Sequence, residues 1–472
     1  MNKTYGVCLG MLALGLVGLG APASRAASRL AADESAGGSE TATTTAASSS
    51  SAPAASSPAD LRQRIDALKA ELADLNTQLA ADTNQDQGTP APATPATPAP
   101  AAAPAAAAPA APMPLPSPSM TAPLSTAIPH EISAGPLGKL EITGILSGIG
   151  LGEDNKYTVT GPNAHWDVSN AQVFVQKTTG WWQFYLQGGA YNIPVVGYAF
   201  APTAFPTSSV YGPLPVAYLK LVKGNFNVEV GELPTLVGAE YTFTFENMNI
   251  ERGLLWNQEP AISRGIQLSD SYKKLSVSFA YTDGYFSNRY TSLSGSLAYA
   301  INASNTLTFV GAGNAGSYAC ISCTATPLAQ NNGSIYNLIY MYSHGNWMIM
   351  PYYQYSVTPV NPSIGIFAGS HTNGEALLAN YNFKHGISLA VRPEYIKSNG
   401  GLAIEEPSTN LLGYGPGSDA FSFTVTPTFA KDGFFIRGDF SIVHATNFTT
   451  AFGPLGTNAT QARGVIEAGV MF

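Results

Sequence analysis

The segment 420-AFSFTVTPTFAKDGFFIRGDFSIVHA-445 alternates. From Phe421 to Phe429 the odd positions are apolar or aromatic apart from Pro427, and Ser422, Thr424, Thr426 and Thr428 lie between them. Lys431-Asp432-Gly433 breaks the pattern, which resumes with Phe434, Ile436, Phe440 and Ile442. A period of two marks a strand whose two faces meet different surroundings. The pattern recurs over 137–472 and predicts sixteen strands: 139–150, 167–177, 181–191, 214–223, 225–233, 264–272, 274–283, 291–301, 305–314, 334–344, 346–357, 374–384, 386–397, 419–430, 433–445 and 461–472. Each has about 9–14 residues, the length of a tilted membrane-crossing strand.

The connections are lopsided. After the even-numbered strands they are short: Thr178-Thr179-Gly180, Gly224-Asn225, Tyr272-Lys273, Asn302-Ala303-Ser304, Gly345-Asn346, His385-Gly386 and Lys431-Asp432-Gly433. After the odd-numbered strands they reach about 30 residues. Tight turns at one end and long loops at the other predict an all-β fold, a transmembrane antiparallel up-and-down β-barrel. An even strand count puts both barrel termini at the periplasmic end. Leu275, Val277, Phe279 and Tyr281 oppose Ser276, Ser278 and Ala280. Ile387, Leu389 and Val391 oppose Ser388, Ala390, Arg392 and Glu394, while Arg437 and Asp439 share a polar face. The apolar set is expected to face lipid and the other set a water-filled lumen. Charges facing inward argue against a soluble barrel, where they would be costly. Trp181, Trp182, Trp347, Tyr272, Tyr281, Tyr299 and Tyr342 fall near strand ends, as an interfacial girdle requires. Pro351, Pro393 and Pro427 each remove a ladder donor, so bulges or local breaks are expected there.

The first third of the chain follows other rules. Residues 1–23 carry Lys3, an apolar run over 9–19 and Ala21-Pro22-Ala23, the layout of a secretory signal peptide. Residues 24–59 are Ser/Thr/Ala-rich and expected to be disordered. Within 60–82, Leu61, Ile65, Leu68, Leu72, Leu75 and Leu79 are spaced as a heptad seam. This predicts an oligomerising coiled coil, with three copies expected; a lone helix packed on its own chain is the alternative. Residues 83–136 form a Pro/Ala-rich periplasmic linker, extending about 3.1 Å per residue where polyproline-like. Charged residues are only 11% of the chain, against about 25% in soluble domains. The net charge of −8 argues against nucleic acid as a partner.

Two stretches, 228-VEVGELPTLVGAE-240 and 263-SRGIQLSDSYKKLSVSFAYTDGY-285, resemble the OmpL-like β-barrel porin family over most of 137–472. The resemblance implies a porin in the outer membrane of a Gram-negative bacterium. A coiled coil ahead of the barrel is similar to some trimeric specific porins. The terminal 464-GVIEAGVMF-472 resembles the signal that such barrels present to the outer-membrane assembly machinery, with Phe472 carrying the likeness.

In trimeric general porins, which this layout resembles, the third outer loop folds inward and sets the narrowest point. Here that loop runs over 234–263 and holds Glu240, Glu246, Glu251 and Glu259 against Arg252 alone. Carboxylates in a narrow throat favour cations. Arg392, Glu394, Arg437 and Asp439 are expected on the pore wall, with Arg392 and Arg437 facing the loop. The alternative puts the glutamates on an exposed loop or a subunit contact. Cys320 and Cys323 are expected to form a small disulfide in an oxidising compartment. Neither HExxH nor GxSxG occurs, and no second Cys or His pair completes a zinc site. His444 shares the outward parity, as in barrel lipases, but no catalytic partner is evident. Gly413-x-Gly415-x-Gly417 precedes no helix and is no phosphate cradle. No cofactor or metal is expected, and no enzyme. The expected function is passive diffusion of small hydrophilic solutes, with a mild cation preference. The rivals are a substrate-selective channel and a plugged barrel that tethers the outer membrane to the cell wall. The expected partners are further copies of the chain, outer-membrane lipid, the assembly machinery and, through the N-terminal segment, the cell wall.

Overall fold

The computed structural model describes Leu124 and residues 129–156, 162–317, 328–400 and 410–472. The expected signal peptide, Ser/Thr/Ala segment and coiled coil, most of the linker, and Cys320 and Cys323 lie outside the described residues.

The strands are β1 His130–Ser133, β2 Lys139–Glu153, β3 Ala164–Lys177, β4 Trp182–Tyr191, β5 Val216–Lys223, β6 Phe226–Pro234, β7 Ile262–Tyr272, β8 Leu275–Thr282, β9 Ser292–Asn302, β10 Asn305–Asn314, β11 Ser334–His344, β12 Trp347–Thr358, β13 Ser370–Asn382, β14 Ile387–Ser398, β15 Asp419–Lys431, β16 Phe434–Thr446 and β17 Thr460–Met471. From β2 onward each strand pairs with the next, and β17 returns to β2 from Arg463↔Glu153 to Met471↔Ile145. The fold is therefore a closed antiparallel barrel of sixteen strands, β2–β17. Closure pairs the two edge strands with each other along most of their length. Phe472 completes the seam: its N–H donates to the Gly144 carbonyl at 3.0 Å, and the Gly144 N–H returns to the Phe472 carbonyl at 2.6 Å. The Phe472 ring occupies the space a side chain on Gly144 would need.

The short strand β1 was not expected from the sequence and lies inside the stretch assigned to the linker. It pairs with Lys139–Ile142, the part of β2 beyond the point where β17 ends. It covers a strand edge that barrel closure leaves open.

The three prolines interrupt ladders without shifting them. The pairing of β11 with β12 skips the positions beside Pro351, and that of β13 with β14 skips those beside Pro393. The β15–β16 ladder does the same at Pro427. In each case the register is the same on both sides of the gap, so these are local breaks rather than bulges. A bulge occurs instead in β3, where Ser147↔Asn170 is followed by Gly148↔Val168 and Ser169 is left over.

The outward face is apolar: Phe279, Leu297, Phe309 and Phe423 are 47%, 45%, 50% and 39% exposed. The inner face departs from expectation in one respect. It is not uniformly small or polar. On β2, Ile145, Ile149 and Leu151 point inward and are buried, while outward-facing positions are Gly144, Gly148, Gly150 and Gly152 around Leu146. The reason is that the lumen is not all water. Ile149 and Leu151 pack with Ile250 of the third outer loop, which turns this part of the wall into a core.

Candidate pore constriction

The third loop, 235–261, folds inside the barrel and lies along its inner wall. Glu251, Arg252 and Glu259 are fully buried, and Glu240 and Glu246 nearly so. Three arginines projecting inward from strands hold the loop.

On β14, Arg392 Nη1 meets Glu240 Oε1 of the loop at 2.5 Å, and its Nε meets Glu394 Oε2 at 3.2 Å. Arg392 Nη1 also donates to the Glu251 carbonyl at 2.7 Å. Glu394 accepts the N–H groups of Leu254 and Leu255 at 3.0 and 3.3 Å, and Glu240 accepts that of Gly253 at 2.9 Å. A β-carbon on Gly253 would collide with both carboxylates, so only glycine brings the backbone this close.

On β16, Arg437 donates to Glu467 Oε2 of β17 through Nη2 at 2.8 Å and Nε at 3.0 Å. Its remaining donors go to the loop carbonyls of Asn247 at 2.8 Å and Thr244 at 2.5 Å. The second oxygen of Glu467 accepts from Ser147, Ser169, Asn170 and the loop's Thr244, between 2.5 and 3.1 Å. The β3 bulge lets the adjacent residues Ser169 and Asn170 both reach this carboxylate.

On β17, Arg463 Nη1 meets Glu251 Oε1 at 3.0 Å, and Nη2 meets Glu153 Oε2 at 2.7 Å. Its Nη1 also donates to the Val195 carbonyl of the second outer loop at 2.7 Å. Glu251 further accepts from Ser441 at 2.8 Å, and its own N–H donates to Asp439 Oδ2 at 2.8 Å. At the far end of the loop, Gln258 Oε1 accepts from Ser356 at 3.1 Å and Thr372 at 2.7 Å, and Tyr352 donates to Glu259. The polar contacts of the loop thus follow an arc of wall from β11 through β17 to β3.

Arg252 is fully buried and turned on its own loop. It donates to the carbonyls of Asn249 at 2.9 Å and Ile250 at 2.5 Å, and more weakly to Tyr241 and Thr242, both at 3.3 Å. Burial lowers its guanidinium to about 10, against the pull of Glu240. Burial pushes the Glu246 carboxyl up to about 7, opposed by the Phe243 N–H and by Arg252. Burial also raises Glu240, with Arg392 opposing, and raises Glu259 well above the usual carboxylate range, with the Tyr352 hydroxyl opposing.

The structure brings Glu240, Glu251, Arg392, Glu394 and Asp439 into one connected network, and Arg437 into its neighbour. Glu246 and Arg252 serve the loop's own backbone. Sequence reasoning missed Arg463, Glu153 and Glu467. The signal was present: Arg463, Val465 and Glu467 share one parity on β17, opposite the exposed Ile466.

The other arc of wall differs. On β7–β10 the inward positions Gln267, Ser269, Ser278, Ser294, Ser296, Thr306 and Thr308 are all partly exposed. Ser269 and Ser278 share a hydrogen bond of 2.9 Å across their ladder. On β5 and β6, Lys220 and Glu229 form an ion pair of 2.7 Å, and Gln267 donates to Glu229 at 3.1 Å. This arc is lined with short hydroxyl side chains and one neutralised pair.

No curated protein matches the chain. OmpT of Vibrio cholerae aligns with a TM-score of 0.49 at 11% identity, covering 73% of this chain and 100% of that one. An anion-selective porin from Comamonas acidovorans aligns at 0.46 and 12%, covering 71% and 99%. OmpF of Salmonella typhi, solved in complex with daunomycin, aligns at 0.45 and 12%, covering 73% and 100%. A family model described as "Putative beta-barrel porin-2, OmpL-like" matches residues 139–472, which is β2 to the final Phe472. The chain belongs to this OmpL-like family of β-barrel porins of the outer membrane.

Proposed function

We propose that the barrel conducts small hydrophilic solutes by passive diffusion, through a passage bounded by the third loop on one side and the hydroxyl-lined wall of β7–β10 on the other. The observation that carries this reading is the contrast between the two arcs. One is buried under the loop, and the other presents partly exposed serines and threonines to the interior. Short hydroxyls suit a wet wall, since they exchange water for solute at little cost.

The same reading carries a mild cation preference. Around the loop, the carboxylates of Glu153, Glu240, Glu251, Glu394, Asp439 and Glu467 outnumber the guanidiniums of Arg252, Arg392, Arg437 and Arg463, and Glu246 and Glu259, whose neutral forms burial favours, add less. A residual negative field in a low-dielectric throat concentrates cations. The arginines spend their charge on pinning the loop, so the field is weaker than the loop sequence alone suggests. Trimeric assembly through the N-terminal heptads, and Phe472 as the mark read by the assembly machinery, belong to the same proposal.

The test is single-channel recording of the refolded protein in a planar bilayer under a KCl gradient. Stable steps with a cation-preferring reversal potential are expected, and Glu246→Gln with Glu251→Gln is expected to weaken that preference. Verified insertion without conductance would overturn the channel reading in favour of a plugged anchor.

A further inference from the structure

The tight turns at the ends of β4–β8 carry an exposed basic cluster that neither the third loop nor the open arc uses. Lys223 ends β5, and Lys273 and Lys274 form the turn between β7 and β8. All three are exposed, and among the described residues none of them is in an ion pair. At the same end of the barrel, Lys139 meets Glu131 at 2.5 Å, and Lys177 is buried on the carbonyls of Thr179 and Trp182. Lys274 donates to the neutral Ile301 carbonyl at 2.7 Å, and the Lys273 ammonium lies 5.1 Å from the centre of the Tyr272 ring. Asp270, which accepts the Ser271 N–H at 2.8 Å, is the carboxylate nearest in sequence, and three ammonium groups outnumber it.

The turns are fixed to one another. Asn225 Nδ2 donates to the Ser271 carbonyl at 2.7 Å, and the Val222 N–H donates to the Trp181 carbonyl at 2.8 Å. Each turn also presents a ring to the surroundings: Trp181, Phe226 and Tyr272 are 70%, 42% and 69% exposed. One step further into the barrel wall, Leu221, Leu268 and Leu275 are exposed on the outward face. The cluster therefore lies where the apolar band gives way to water, the depth at which lipid headgroups sit. Turn geometry does not explain the lysine at position 273. Its φ is +55°, a region that favours glycine or asparagine, and the two neighbouring turns place Gly180 and Gly224 there.

We propose that Lys223, Lys273 and Lys274 bind the phosphate of an anionic phospholipid headgroup in the leaflet at the short-turn end of the barrel. The lysines supply positive charge that no carboxylate of the chain takes up, and the three rings hold the site at headgroup depth. A zwitterionic headgroup brings its own ammonium, which the lysines repel, so the site selects a lipid with net negative charge. The bonds between the turns hold the backbones of Lys223 and Lys273 beside each other before any lipid arrives, which lowers the ordering cost of binding. The site lies on the outer surface of the barrel, so it does not depend on the channel reading.

The experiment is native mass spectrometry of the full mature chain, offered phosphatidylglycerol and phosphatidylethanolamine with matched acyl chains. The parent is expected to retain phosphatidylglycerol in preference. Lys223→Gln is expected to weaken that preference about fivefold. The triple variant Lys223→Gln, Lys273→Gln, Lys274→Gln is expected to abolish it. Lys384→Gln, on a turn across the barrel, is expected to leave it unchanged. Equal retention of the two lipids by the parent, or a triple variant that keeps the preference, would overturn the proposal. So would an equal loss in Lys384→Gln, which would make the effect one of overall charge. A preference erased by excess inorganic phosphate would reveal a site for free anions and overturn the assignment to lipid. Lys223→Gln touches neither of the bonds between the turns, so it decides the matter even where the triple variant fails to fold.

Discussion

The two arcs of the inner wall are built from the same alternating strands and face the same lumen, yet they carry opposite chemistry. From β11 through β17 to β3 the inward positions include Arg392, Glu394, Arg437, Asp439, Arg463 and Glu467, all buried. From β7 to β10 they are mostly serine and threonine, partly exposed. The charged side chains sit under the loop, among buried hydroxyls such as Thr424 and Ser441, whereas the second arc is nearly all neutral and partly exposed. The first arc is a docking surface for a loop. A buried charge there is tolerable only with a partner and full hydrogen bonding, and each arginine has both. The second arc needs no partners, because water supplies them.

The difference can be broken most strongly at Arg392. Arg392→Ala leaves Glu240 and Glu394 buried without their counter-charge, a loss of about 3–5 kcal/mol for a buried pair. Thermal unfolding in detergent is expected to shift down, with a noisier channel as the loop comes away. An unchanged midpoint would show that the loop is held by its apolar contacts instead.

Gly253→Ala is expected to do less. It crowds the two carboxylates, which keep their counter-charge, and loss of the one Gly253 N–H bond to Glu240 costs about 1.5–3 kcal/mol. The same unfolding assay should place it between Arg392→Ala and the parent.

Glu246 makes the packed arc pH-sensitive. Its carboxyl is raised from 4.5 to about 7 in the folded loop. A raised pKa means that its contribution to loop packing is full below about pH 4.5 and is lost as pH rises through about 7. Open-channel noise is therefore expected to increase over that window, and Glu246→Gln to flatten the profile. A parent protein with no pH dependence between these values would contradict this.

The open arc should respond in the opposite manner. Ser278→Lys is expected to change stability by no more than about 0.5 kcal/mol, as for a solvated position. It should nevertheless move the reversal potential toward anions, because its charge is not spent on a partner. If Ser278→Lys proved as costly as Arg392→Ala, the two arcs would not differ as described.

Much of this molecule was legible along the chain. Period two and the alternation of short and long connections placed all sixteen barrel strands, most of them within three residues of their observed ends. These signals are local: a side chain's parity depends only on its neighbours, and a turn's length on the residues within it. The third loop's acidity, and the inward parity of Arg392 and Arg437, were legible for the same reason. The strand β1 was not, since His130–Ser133 pairs only because β17 stops opposite Gly144 and leaves an edge.

What the sequence by itself determined is the barrel: which residues form strands, which face each side chain takes, and which end carries the long loops. What only the tertiary structure decided is which inward charges meet. Arg392 and Glu240 are 152 positions apart, and Ser147 and Glu467 are 320 apart. Neither pair has a local signature. Glu467 gathers its ligands because β17 closes on β2. Pairing across a closed sheet depends on the whole ring of registers, and no window of sequence contains that ring.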